Sequence, residues 1–237
     1  MRRLSLAGAM LLAVFPSTTA CELVGVRGSG DVISESRSVS GFTQVMFKGS
    51  GRVSVEVTGE ESLTIEAEEN LMPLLTSEVE NGVLVLGSNE AISPTQDIVY
   101  TITVDRLDGV TIQGSGELSA PDVETSAFEA IASGSGELFL PNLTTQELVV
   151  RISGSGDAQV SGSASHLELD VSGSGSYLGQ DLVAMTANVD NSGSGDATVN
   201  VRDNLKATLS GSGSIIYFGE PASVDSSVSG SGEIEEG

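Results

Sequence analysis

Carboxylates recur at one fixed place in this sequence. The tripeptide Gly-Ser-Gly begins at residues 28, 49, 114, 134, 154, 173, 193, 211 and 230. The residue after it is, in turn, Asp31, Arg52, Glu117, Glu137, Asp157, Ser176, Asp196, Ser214 and Glu233. If the repeats stack, Glu117, Glu137 and Asp157 stand on three consecutive coils, about 5 Å apart. Such a ladder could hold Ca²⁺, a hard cation that takes several oxygen ligands. It could equally be a solvated acidic corner that keeps the protein in solution. The Gly-Gly-x-Gly-x-Asp signature of calcium-binding β-rolls is absent.

Other chemistry finds little support. Polysaccharide cleavage needs paired carboxylates in a cleft or a cation-supported base. With 33 Asp and Glu, some pair is always close, so pairs in the sequence say little. His166 is the sole histidine and adjoins Leu167-Glu168-Leu169, which reads as a turn residue rather than a general base. No Ser-His-Asp or Cys-His spacing stands out, and one cysteine excludes an internal disulfide. No catalytic residue, cofactor or metal ligand is therefore assigned. Ten Lys and Arg against 33 acids give a net charge of −23, which repels phosphate backbones and argues against nucleic acid as a partner. Asn142-Leu143-Thr144 matches a glycosylation sequon, which the bacterial-type leader makes a coincidence.

Residues 1–20 read as a removable secretory signal. Arg2 and Arg3 form the basic start, Leu4 to Phe15 the apolar stretch, and Thr18-Thr19-Ala20 the small-residue cleavage site. The stretch is too short to span a membrane. Cys21, the only cysteine, follows directly. One reading makes it the lipidated first residue of an exported lipoprotein, with Thr18 where a lipobox usually has Leu, Val or Ile. The other leaves a free thiol after ordinary cleavage.

The elements that carry the tripeptides are strands. The tripeptide spacings are 21, 65, 20, 20, 19, 20, 18 and 19, the long gap being close to three periods. Before each tripeptide the apolar residues alternate, as in Leu148/Val150/Ile152, Leu167/Leu169/Val171 and Leu205/Ala207/Leu209. Period 2 marks a strand with one buried face. A shorter alternation follows, with Pro121 and Pro141 at a second corner. A flexible linker would not recur at fixed phase between amphipathic strands. Glycine suits such a corner because it accepts positive φ and lets backbones approach closely. A unit of about 20 residues cannot bury its apolar face alone, so the units stack.

The fold expected is all-β: a right-handed parallel β-helix of about ten coils with Gly-Ser-Gly corners. Residues 21–37 would form a tether and first coil, and 38–237 a single solenoid domain, less regular over 38–113 and regular over 114–237. A separate N-terminal subdomain over 52–113 is the alternative. Glu66 to Val79 would hold a short helical turn broken at Pro73.

A second set of motifs points to a family. Gly41-Phe42-Thr43-Gln44-Val45, Gly49-Ser50-Gly51-Arg52-Val53, Leu63-Thr64-Ile65-Glu66-Ala67 and Ser77-Glu78-Val79-Glu80-Asn81-Gly82-Val83-Leu84-Val85 lead into the array. In this order, over about 38–235, the chain resembles the bacterial putative auto-transporter adhesin head (GIN) domain. The resemblance implies a β-helix without lyase residues on an exported or lipid-anchored protein, with a presumed role in adhesion and no functional residues carried over. The function expected is non-enzymatic: a cell-envelope protein binding a surface ligand, protein or glycan, with Cys21 as its membrane anchor. A spacer without a specific ligand and a polysaccharide-acting enzyme are the rival readings.

Overall fold

The computed structural model describes residues 25–237. The first nine strands are β1 (Val26–Arg27), β2 (Val32–Arg37), β3 (Gln44–Phe47), β4 (Arg52–Val57), β5 (Ser62–Glu68), β6 (Leu75–Glu80), β7 (Val83–Ser88), β8 (Ile92–Ser93) and β9 (Val99–Val104). The repeat region holds β10 (Gly109–Ile112), β11 (Glu117–Ser119), β12 (Glu124–Ala132), β13 (Glu137–Ile152), β14 (Ala158–Val171), β15 (Tyr177–Asn191), β16 (Ala197–Leu209), β17 (Ile215–Phe218), β18 (Ser223–Val228) and β19 (Ile234–Glu236). Helix is confined, among the described residues, to the 3-10 turn Met72–Leu74, with Pro73 inside it rather than breaking it.

From β10 onward each strand pairs in parallel with the strand one repeat later. Leu148 lies beside Leu167, Leu167 beside Ala187, Ala187 beside Leu205, and Leu205 beside Val224. The three apolar triads are all buried, and their members share this register. A solenoid of about six turns results. Its core is a continuous stack of Leu, Val, Ile and Ala, closed by Phe42, Phe47, Tyr100 and Phe128 toward the N-terminal end.

The expected ten coils are not formed. Strands β3 and β4 dock directly on β10 and β11, with Gln44 beside Gly109 and Arg52 beside Glu117, so the intervening segment adds no sequential turns. Instead β7 and β9 pair in parallel with the other side of β3 and β4. That end is then closed by antiparallel strands: β6 on β7, β5 on β9, and β2 on β5. The turn chemistry explains the reversal. Asn81 and Gly82 both have positive φ (52° and 81°), as a tight Asn-Gly hairpin requires, so β6 must run back along β7. Within residues 25–37, β1 pairs in parallel with β8 in a separate two-stranded sheet, and β2 runs antiparallel to β5.

The glycine tripeptides stack from 49 onward, for a reason narrower than expected. Ser135 N–H donates to the Gly114 carbonyl (3.0 Å), Ser155 to Gly134 (2.9 Å), Ser174 to Gly154 (2.9 Å) and Ser194 to Gly173 (2.9 Å). Each serine is exposed, and the second glycine of each repeat from Gly116 to Gly213 is buried. A methyl group on Gly136, Gly156, Gly175 or Gly195 would sit inside the carbonyl oxygen of the glycine one turn below. Among the stacked tripeptides positive φ occurs only at Gly51. In the repeat region positive φ falls instead between the tripeptides, at Asp122, Asn142, Gly162, Gly219 and Glu220. Close backbone approach, not φ, is what these glycines supply. Asn191 takes a core position before its tripeptide and repays its burial by accepting from Gly193 N–H (3.0 Å) and donating to the Gly195 carbonyl (2.8 Å).

Gly156→Ala is expected to destabilise the protein by about 3 kcal/mol through overpacking. Ser155→Ala, one residue away but exposed, should stay within about 0.5 kcal/mol. Equilibrium urea unfolding of the two variants measures the difference.

Candidate functional site

The solenoid brings the sequence-marked carboxylates to one edge. Arg52, Glu117 and Glu137 are adjacent in register, and the Asp157 carbonyl accepts from Leu138 N–H on the turn below (2.9 Å). Their roles then divide. Asp157 turns back, and its Oδ1 accepts from Ser176 N–H (2.7 Å); Asp196 does the same for Ser214 N–H (2.8 Å). These two carboxylates tie successive turns together. Arg52 is engaged by Asp97 at 2.7 Å, an exposed pair of little energetic weight. Glu117 and Glu137 form no ion pair with a described residue. Among the described residues no three His, Cys, Asp or Glu side chains gather as ligands for a metal ion. Asp31 lies off this edge, because the first tripeptide does not join the stack.

One strand step outward the chain presents apolar groups that the sequence analysis did not mark. Phe139, Gln159 and Leu178 follow one another in register on β13, β14 and β15. Leu138 and Leu140 point into the core, so alternation turns Phe139 outward; it is 37% exposed, and Leu178 is 46% exposed. The signal was present in the strand period itself. Glu117, Glu137, Asp157, Phe139, Gln159 and Leu178 together line a concavity of about 400 Å³. A free carboxylate beside an aromatic face can accept hydrogen bonds from hydroxyl or ammonium groups while the ring covers apolar carbon. That is recognition chemistry. A larger hollow, about 720 Å³, lies elsewhere, with Thr125, Thr144, Ser163 and Met185 among its lining residues.

His166 lies within β14 rather than in a turn, and its Nδ1 meets the Thr186 hydroxyl at 2.9 Å. The reason is the local register: residues 163–171 pair continuously with β13 and β15. Cys21 lies outside the described residues.

Among the described residues one carboxylate is buried, that of Glu68. It receives the Thr95 hydroxyl (2.5 Å), Thr95 N–H (2.8 Å) and Gly30 N–H (2.7 Å). The off-stack tripeptide thus wraps around it, and Gly28 leaves no room for a side chain there. Asn70 completes the clasp, accepting from Ser29 N–H and donating to the Arg27 carbonyl, both at 2.8 Å. The Thr95 hydroxyl above all, with the N–H groups of Thr95, Gly30 and Gln96, holds the Glu68 carboxyl below its ordinary value against the opposing effect of burial. Burial pushes the Tyr100 hydroxyl up to about 12.

The stacked parallel strands define the class at the level of the fold, an all-β solenoid of about six turns. The chain belongs to the family described as "Putative auto-transporter adhesin, head GIN domain", whose model matches residues 41–221. It is similar to the solved structure of a putative adhesin from Bacteroides fragilis NCTC 9343 at 26% identity and a TM-score of 0.85, over 90% of this chain and 100% of that one. A putative lipid binding protein from Parabacteroides distasonis ATCC 8503 shares the fold at 23% identity and a TM-score of 0.76, over 90% of this chain and 99% of the other. A putative adhesin from Parabacteroides merdae ATCC 43184 does so at 23% identity and a TM-score of 0.66, over 90% and 98%. No curated protein matches the chain.

The folded pKa of Glu68 lies below the unfolded one, so its clasp stabilises fully above the ordinary carboxylate range and weakens as pH falls through the folded value. Glu68→Gln at neutral pH, or acidification of the wild type, should speed amide exchange over residues 25–37 while β13–β16 stay protected. Hydrogen-exchange mass spectrometry resolves the two regions.

Proposed function

We propose that this protein is an exported, non-enzymatic adhesin of the cell envelope, held to a membrane through Cys21 and contacting its ligand through the Glu117–Glu137–Phe139–Leu178 groove. The observation that carries this reading is the exposed Phe139 beside carboxylates that no described cation neutralises, on a chain of the adhesin-head family. The ligand class is a surface glycan or protein whose hydroxyl or ammonium groups meet the carboxylates. The coil is taken as right-handed, the hand that parallel crossovers favour, with the glycine tripeptides as its corners. Among the described residues no helix is long and apolar enough to cross a membrane. Attachment therefore rests on acylation of Cys21, where two or more acyl chains give stable anchoring. In this reading residues 22–24 join the anchor to the described chain, and the capped end, with β1, faces the bilayer.

Beads coated with the protein should bind members of an array of glycans and matrix proteins. Glu137→Gln with Phe139→Ala should cut that binding at least about tenfold, the loss expected of a groove's anchoring residues. No binding anywhere on the array would leave a spacer. Separately, Cys21→Ser should move the protein from the membrane fraction to the soluble exported fraction without changing its melting temperature. Mass spectrometry finding an unmodified N-terminal cysteine would refute the anchor.

A further inference from the structure

The two ends of the solenoid are finished differently. At the N-terminal end the parallel strands β7 and β9 are covered by the antiparallel strands β6 and β5 of the same chain, and β5 by β2. At the other end β18 pairs only with β16, and β19 only with β17. Both are edges with no described strand beyond them.

The hydrogen bonds that this edge lacks follow from the interior pattern. At one position in each turn the N–H donates to the next turn: Ala158 to the Ser176 carbonyl (2.9 Å), Tyr177 to Asp196 (2.8 Å), Ala197 to Ser214 (2.9 Å) and Ile215 to Glu233 (2.9 Å). Ile234 is the register partner of Ile215, and no described residue lies beyond it to accept. Carbonyls repeat in the same way. Leu209 accepts from Ser229 N–H (2.9 Å) and Gly211 from Ser231 N–H (3.0 Å), so the Val228 and Gly230 carbonyls face outward without a donor.

Side chains tell the same story. Val224 and Val228 register with the fully buried Leu205 and Leu209, yet are 39% and 49% exposed. They occupy core positions of the repeat that no turn among the described residues covers. The charge of this end is one-sided. Residues 219–237 carry Glu220, Asp225, Glu233, Glu235 and Glu236 and no Lys or Arg. A second copy docked by this same end would set five carboxylates against five.

We propose that the β18–β19 edge is a strand-addition site for an extended, basic segment of another protein, alternating apolar residues with Lys or Arg. The apolar residues cover Val224, Val228 and Ile234, the backbone meets the free N–H and carbonyls, and the cations answer the five carboxylates. Strands β5 and β6 show in this chain how amphipathic strands close such an end. The site lies three turns beyond Leu178 of the groove, where Glu235 ends the register file that runs from Leu178 through Thr198 and Ile216.

The test uses the full chain and a synthetic peptide alternating Lys with Val. The peptide should bind, more weakly at high salt, and Val224→Asp with Val228→Asp should lower its affinity at least tenfold. Both positions are exposed, and an unchanged melting curve confirms that the variant is folded. A peptide of the same sequence with alternate backbone nitrogens methylated keeps its charge but loses its donors, and should bind at least tenfold more weakly. Equal binding of the methylated and unmethylated peptides would overturn the proposal, since attraction to an acidic surface alone would then explain it. Peptide affinity unmoved in the folded double variant would also overturn it. So would sedimentation showing a dimer that the double variant dissolves, which would assign the edge to a second copy.

Discussion

The structure depends on the contact of one peptide backbone with the next along the stacked glycines. There Gly136, Gly156, Gly175 and Gly195 lie against the carbonyl of the turn below with no side chain between them. The distance between turns is thereby set by hydrogen bonds rather than by side-chain size. Everything that faces inward must then fit at strand spacing, which is why Leu, Val, Ile and Ala alternate and large rings are rare in the repeats. The same spacing places Glu117 against Glu137 and Phe139 against Gln159, so the groove is a by-product of the glycine column.

A stack of parallel turns has two open ends, and this chain treats them unequally. The N-terminal end is closed by a change of strand direction that begins at Asn81-Gly82. It is reinforced by a buried carboxylate that gathers the donors of Gly30 and Thr95. The tripeptide at Gly28 shows how the same residues serve a different purpose in a different setting. Away from the stack, their small size admits the Glu68 carboxylate instead of a neighbouring backbone.

The repeat region was legible in the sequence because both of its signals are strictly periodic. Leu148, Val150 and Ile152 announce their burial by period 2, and the tripeptides announce the stacking. The N-terminal third was legible only as strands. Its pairing is non-local, and a gap of 65 residues looks the same whether it holds three turns or an antiparallel cap. The Asn81-Gly82 hairpin was the available clue. In the groove, the carboxylates were visible as the residue after each tripeptide, whereas Phe139 was hidden by its apolar neighbours Leu138 and Leu140. Glu68 could not have been found, since its donors come from segments 27 and 38 residues away.

The irregularities of the repeat all fall on the side away from the glycines. Register shifts lie between Leu140 and Leu143, between Gln159 and Gly162, and between Gly179 and Val183, where units of unequal length are brought back into step. Each unit therefore begins and ends on an interchangeable surface. A unit such as residues 154–172, from one tripeptide to the residue before the next, can be deleted or duplicated in the gene, and the turns on either side still meet a matching neighbour. The reach of the molecule is in that sense a counted quantity, open to revision one unit at a time without any redesign of its core.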